Sequence, residues 1–404
     1  MKKSGSIFIL FLALGVFGII TTEMGIIGVL PQVADRFHIS ASKAGWLVSI
    51  FAFIVAVSGP FLTLLASGIN RKYILLLAVL MFAVSNAVYA YTAHFNVMLA
   101  FRIIPALCHP VFFSVALAAA ARLVPAGQSG KAVTKVFSGI TAGFAFGVPF
   151  TSYLADRLSL EAAFLFGAII SLIAFTGILL FLPSMPVTEK MSFSSQLGIL
   201  RKPALWLNIA AVTCLFAAMF SVYSYFAEYL GRVSHMIGTL VSFMLMSFGV
   251  IMIAGNFVFG ALLYKNMKKT VILFPLLYTA AYLLIYGFGT SFAPMAVLVF
   301  VWGAVHSGGL IVSQTWLTAE AKEAPEFGNS LFVSFSNLGI TIGTAAGGWF
   351  ISHLGIHQLM WCGIMFALLA FGLIMGRLAW GKRSARRSLS SIAKSGMITY
   401  NIPD

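Results

Sequence analysis

Glu23 is the only charged side chain between Lys3 and Asp35, in a chain of 404 residues with just ten acids. Counted from Ile7 at about 1.5 Å per residue, it lies roughly 24 Å along an apolar segment that must cross about 30 Å of hydrocarbon. A carboxylate at that depth costs several kcal/mol unless it is paired, hydrated or protonated. Burial favours its neutral form and a nearby cation favours its charged form. A group pushed both ways can change protonation when a neighbour moves, which is the chemistry proton coupling requires. The bland alternative is a Glu hydrated by the outer leaflet. Arg102, also inside an apolar run that starts near Asn96 on the opposite side, falls roughly 9 Å deep from that side by the same rise; both residues therefore lie in the outer half, and Arg102 is the natural partner. Such a pair is either a static ion pair or one that breaks during a working cycle.

A second set of residues shapes a cavity rather than carrying charge. His109, Trp302, His306 and Asn337 fall at the centres of apolar segments, and Tyr223 and Tyr225 in the outer part of another. Polar groups at membrane depth face a bundle interior or a water-filled cavity, though each could equally be a satisfied helix–helix hydrogen bond. As a set they predict an aromatic, mildly polar cavity suited to a neutral or amphipathic solute. A third set is small. Gly139, Gly143 and Gly147 share one helix face, with Pro149 just beyond, and Gly339, Gly343 and Gly347 repeat the spacing at an offset of 200 residues. Small residues at this spacing let two backbones approach; static packing and a sliding interface between halves are the two readings.

These residues are positioned by a chain that is 60% hydrophobic and 9% charged, with a mean hydropathy of +1.00. So few charges cannot cover a water-facing surface, which excludes soluble, disordered and nucleic-acid-binding classes despite a net charge of +15. Apolar segments long enough to span fall at roughly 6–30, 43–66, 73–92, 96–121, 132–155, 162–182, 205–228, 235–262, 270–289, 293–318, 328–352 and 357–380. The expected fold is all-α: twelve transmembrane helices in two pseudo-symmetric six-helix bundles. The bundles are residues 1–182 and 205–380, joined by a polar linker at 183–204 and followed by a basic tail at 381–404. The first run is too long for a cleaved signal peptide and reads as an uncleaved first helix. Most of the 25 Lys and Arg fall in loops on the side of the N-terminus. Only Arg36, Lys43, Arg157 and Arg232 fall on the other side, which predicts cytoplasmic termini. Repeats of like orientation place a substrate site at the midplane between them.

Cys108, Cys214 and Cys362 are far apart and lie in apolar runs, reading as buried hydrophobes rather than a disulfide or metal site. No nucleotide-binding loop, zinc-hydrolase motif or nucleophile elbow occurs. Neither a cofactor, a metal nor an enzyme activity is expected.

With these residues in view, the chain resembles the major facilitator superfamily over about residues 6–380. It is most similar to the twelve-span drug/proton antiporter branch of arabinose-efflux-permease-like and chloramphenicol-resistance-like proteins. The resemblance rests on Thr22-Glu23-Met24 through Ala34, Asn70-Arg71-Lys72, Arg102 with His109-Pro110-Val111-Phe112-Phe113, Gly139 to Pro149, Trp302-Gly303 with Gln314, and Asn337 through Gly348. It implies proton-driven export by alternating access, with Glu23 and Arg102 in proton coupling. The implied partners are a small-molecule substrate, protons and the lipid bilayer, with one chain sufficient for a cavity. A drug, sugar or metabolite is the implied cargo; purine or nucleoside export, uptake by symport, and last a non-transporting receptor or scaffold are the alternatives. Two departures stand out. Asn70 occupies the place of the family's Asp before the basic pair, and Phe150-Thr151-Ser152 replace the glycines usual after Pro149.

Overall fold

The computed structural model describes residues 2–66, 69–125, 129–186, 197–323 and 325–394. Among them every regular element is helical. With no water in the hydrocarbon to satisfy backbone groups, an apolar chain of this kind must close its hydrogen bonds within each segment. The first half comprises α1 (Lys2–Gly28), α2 (Leu30–Phe37), α3 (Ala41–Ala44), α4 (Trp46–Leu65), α5 (Arg71–Tyr91), α6 (Phe95–Arg122), α7 (Ser129–Ala142), α8 (Val148–Arg157) and α9 (Leu160–Phe181). The second comprises α10 (Pro203–Tyr223), α11 (Phe226–Arg232), α12 (Thr239–Phe288), α13 (Phe292–Thr318), α14 (Pro325–Leu354) and α15 (Leu359–Lys394).

Ten of the described helical segments are long and apolar enough to cross a membrane. Two departures from the expected spans account for the shortfall from twelve. The fifth crossing is cut into α7 and α8 by a π-helical turn, Gly143–Gly147, placed just before Pro149, which has no N–H for the helical ladder. The eighth and ninth crossings run together as α12, 50 residues long, broken only at Asn266 (φ −160°, ψ 88°). The loop expected at 263–269 is replaced by this kink. There the Asn266 side chain accepts from Lys269 N at 2.9 Å and caps the second segment, as Asn70 caps α5 by accepting from Lys72 N at 3.1 Å. A short polar side chain at a helix start satisfies N–H groups that the helix leaves open. Of the linker, Glu189, Lys190, Ser192, Ser194 and Ser195 lie outside the described residues, and Leu197–Arg201 forms one 3-10 turn. The last helix continues into the tail as far as Lys394.

The glycine triplets correct an expectation. They do not line the boundary between the halves. A Cβ on Gly139 would strike Ala13 O and on Gly143 would strike Ile20, both in α1, and Gly147 presses on the Thr21 hydroxyl. Likewise Gly339 meets Thr213 O, Gly343 meets Ala217 O and Gly347 meets Ser221 O, all in α10. Each triplet seats a helix within its own half, and the contacted residues keep the offset of 200: Ala13 and Thr213, Thr21 and Ser221. The repeat is thus visible in contacts as well as spacing.

The halves meet along two other seams. On one, α3 and α4 pack on α14: Ser49 O accepts from Thr341 Oγ1 at 3.4 Å and Gly348 lies against Ser42 of α3. On the other, α8 and the π turn pack on α12: Ser242 and Ser152 hydroxyls bond at 3.0 Å, and Gly249 lies against the Phe144 and Ala145 backbone. Replacing Gly343 by Val is expected to force α14 off α10 and lower the melting temperature of the purified protein. Overpacking of this kind typically costs about 1–3 kcal/mol. Gly372→Ala, where nothing lies within 4 Å of the added carbon, is expected to leave the melt unchanged.

Candidate functional site

Arg102 is fully buried in α6, a helix carrying Pro105 and Pro110 within its length. Its guanidinium does not reach the Glu23 carboxylate. Nη1 donates to Thr22 O at 2.8 Å, Nη2 to Glu23 O at 2.9 Å and Nε to Leu47 O at 3.0 Å. The planar fork, with donors fixed in direction, thus clamps α1 and α4 to α6 through backbone carbonyls. Its faces lie over the rings of Phe51 (4.8 Å) and Tyr89 (5.9 Å). The Thr22 hydroxyl, which donates to Gly18 O, accepts from Asn86 Nδ2 at 2.8 Å and brings α5 into the same cluster. The expected side-chain ion pair between Glu23 and Arg102 is therefore replaced. Three carbonyls draw the guanidinium away from the acid.

The acid's partner is His109, one of the residues expected in the substrate cavity. Glu23 Oε2 lies 3.0 Å from His109 Nε2, with both side chains under a tenth exposed. Both ring nitrogens lack an aligned hydrogen bond, so this is an approach that a small rotation would tighten. The ring is edge-on to Phe51 and tilted on Phe113, with centroids at 5.9 and 4.6 Å. Separated charge in such a place is costly unless tightly bonded.

At the same offset of 200, the second half has Tyr223 where the first has Glu23, and Trp302 where it has Arg102. Both are buried within an aromatic cluster: Tyr223 stacks on Phe248 at 5.1 Å and is edge-on to Trp302 at 6.4 Å. Trp302 Nε1 donates to the Tyr278 hydroxyl at 3.1 Å, and that hydroxyl lies 2.8 Å from His306 Nδ1. Indole nitrogen is only a donor, so the Tyr278 hydroxyl accepts from Trp302, while the direction of its bond to His306 Nδ1 follows the imidazole tautomer. His306 Nε2 is buried with no protein partner. Tyr278 escaped the sequence reading: it is one of 12 tyrosines, with no charge to single it out, and only the three-residue relay gives it a role. Asn86 and Leu47 escaped it too, and Thr22 entered only through the family resemblance, since Thr22 and Leu47 act through backbone oxygens that no side-chain pattern marks.

The remaining expected residues lie elsewhere. The structure places Tyr225 at the seam, where its hydroxyl donates to Thr344 O at 2.9 Å and abuts Gly45 and Gly348. Asn337 is buried in α14, donating to Val333 O at 2.9 Å while its Oδ1 has no partner. Pro149 opens α8 behind the π turn. Asn70 ties the start of α5 to the chain after α9, donating to Ser184 Oγ at 2.7 Å and accepting from Met185 N at 3.2 Å. Arg71 N donates to Met185 O, and Lys72 Nζ donates to Leu179 O at 2.8 Å. These three residues thus hold a helix junction within the first half.

The Major Facilitator Superfamily model matches residues 12–274 and 225–397. "Inner membrane transport protein YdhP" of Escherichia coli (strain K12) is 30% identical over 344 residues, 85% of this chain and 88% of the relative. "Putative transporter AraJ" of the same organism is 27% identical over 376 residues, 93% of this chain and 95% of the relative. Among solved structures, a bacterial homologue of the human lysosomal transporter Spinster, inward-facing and unoccupied, superposes with a TM-score of 0.77 at 16% identity. It covers 93% of this chain and 97% of its own. The human organic anion transporter MFSD10 superposes at 0.65 with 18% identity, over 92% of this chain and 99% of its own.

Arg102→Ala removes three charge-assisted bonds and leaves a cavity at the junction of α1, α4 and α6. A buried large-to-small change typically costs about 2–5 kcal/mol, so the melting temperature of the purified protein is expected to fall by several degrees. Glu23→Gln, which keeps the volume, is expected to melt close to the unaltered protein. If the two melt alike, Arg102 is not the structural clamp.

Proposed function

This chain belongs to the Major Facilitator Superfamily and is a multi-pass membrane transporter; on that premise we propose that it exports a small neutral or amphipathic molecule across the cytoplasmic membrane in exchange for protons. One observation carries the reading: Glu23, deep in α1 and 5% exposed, has its carboxylate beside His109 and not beside a permanent cation. A transporter gains nothing from an acid held there only as ballast. An acid whose ion-pair partner among the described residues can itself take or release a proton is suited to gain and lose one as its surroundings change.

Glu23 is the proton-carrying group in this reading and His109 its exchange partner. Arg102 sets the geometry of α1 and adds a fixed positive field without neutralising the carboxylate directly. The aromatic cluster of Tyr223, Trp302 and His306, buried in this conformation, would offer the cargo flat apolar contact and few charges once alternating access opens it, which favours neutral or amphipathic solutes over strongly anionic ones. Alternating access would open and close the two seams, where single hydroxyl contacts such as Ser152–Ser242 resist separation only weakly. The excess of Lys and Arg on the N-terminal side supports cytoplasmic termini.

Purified protein in liposomes with an imposed pH gradient, challenged with a panel of neutral and amphipathic solutes, tests the proposal. At least one solute is expected to move against its gradient and to drive a reciprocal change in internal pH. Glu23→Gln is expected to abolish both while leaving solute binding measurable. His109→Gln is expected to keep binding and to flatten the pH dependence of transport. Active transport by Glu23→Gln at the normal rate would overturn the assignment.

A further inference from the structure

On the outer side of the first half, between α1 and α9, lies an apolar groove of about 420 Å³, within the usual size of a ligand cleft. Gly177 forms its floor, since any side chain there would strike the Phe11 ring. Phe11 and Phe181, stacked at 5.4 Å, border it, and Ile169, Leu172 and Leu180 complete its walls. From Ile169 to Phe181 α9 rises about 18 Å, close to the thickness of one leaflet of a membrane with a hydrocarbon core of about 30 Å. The groove therefore ends at the membrane face bearing the N-terminus.

A cation stands at that end. Lys72 Nζ lies on the carbonyl of Leu179, within the stretch of α9 that walls the groove, with two further N–H bonds to give. Arg71 and Arg122 are close enough to feel one another's charge. Among the described residues no carboxylate lies within ion-pair distance of these three. The second half differs on the same face, where Lys202 pairs with Glu323 and Arg377 with Glu320. Lys72, with no carboxylate partner among the described residues, beside the end of a leaflet-long apolar groove matches one kind of molecule.

We propose that this groove is a binding site for an anionic phospholipid, with an acyl chain lying between α1 and α9 and the phosphate on Lys72. The rival account is that Lys72 merely caps the carbonyl end of α9. Thermal unfolding of the purified full-length protein in detergent separates them. Added phosphatidylglycerol is expected to raise the melting temperature more than phosphatidylcholine does, and inorganic phosphate is expected to have no effect. Lys72→Gln should abolish the difference between the two lipids, and Lys72→Arg should keep it. Thr176→Trp, which fills the groove from an exposed position, should weaken stabilisation by both. Equal stabilisation by the two lipids, a difference that survives Lys72→Gln, or an equal effect from phosphate alone would overturn the proposal.

Discussion

The rest of the structure depends on how a permanent cation is kept inside a low-dielectric bundle. Arg102 cannot be neutralised by losing a proton, and it is fully buried. Three backbone carbonyls and two aromatic faces surround it instead. That arrangement fixes α1 against α4 and α6 at one depth. It also leaves the Glu23 carboxylate without its obvious counter-ion, and the acid falls to a weaker, titratable neighbour. Had Arg102 reached the carboxylate, the pair would have formed a locked salt bridge, costly to break in hydrocarbon. The clamp and the acid–imidazole pair are thus separate devices built on one residue, Glu23: its carbonyl serves the clamp, and its carboxylate faces the histidine.

The twofold repeat gives this division a wider meaning. Gly139 and Gly339 seat their helices on Ala13 and Thr213, so α1 and α10 occupy equivalent places. At those places the first half carries Glu23 and Arg102 and the second Tyr223 and Trp302. One half holds the charged residues and the other a buried aromatic cluster with a neutral hydrogen-bond relay. A transporter that binds protons in one half and an uncharged cargo against the other would need this asymmetry, and alternating access would couple the two through the seams that join them.

Much of this was legible in the sequence, for identifiable reasons. A lone acid in an apolar run is one-dimensional information, so Glu23 and Arg102 stood out without coordinates. Apolar length marked the crossings, though not the continuity of α12 through Asn266, where a single residue turns the chain. Glycine spacing showed which residues share a helix face but said nothing about what covers that face, and the reading of a boundary between halves failed there. Partner choice was the least legible. His109 was expected to face the cargo because polar residues at mid-membrane usually do, and its proximity to Glu23 arises from how α1 and α6 cross. Backbone acceptors such as Leu47 O leave no trace in residue type at all.

The central claim is that Glu23 changes protonation inside the folded protein, and infrared difference spectroscopy tests it most directly. On titrating the purified transporter across the physiological pH range, a carbonyl stretch of a protonated carboxylic acid should appear and disappear. That band should be missing in Glu23→Gln and should move in its pH dependence in His109→Gln. A spectrum with no titrating carboxylic acid band, or one identical in Glu23→Gln, would contradict the account.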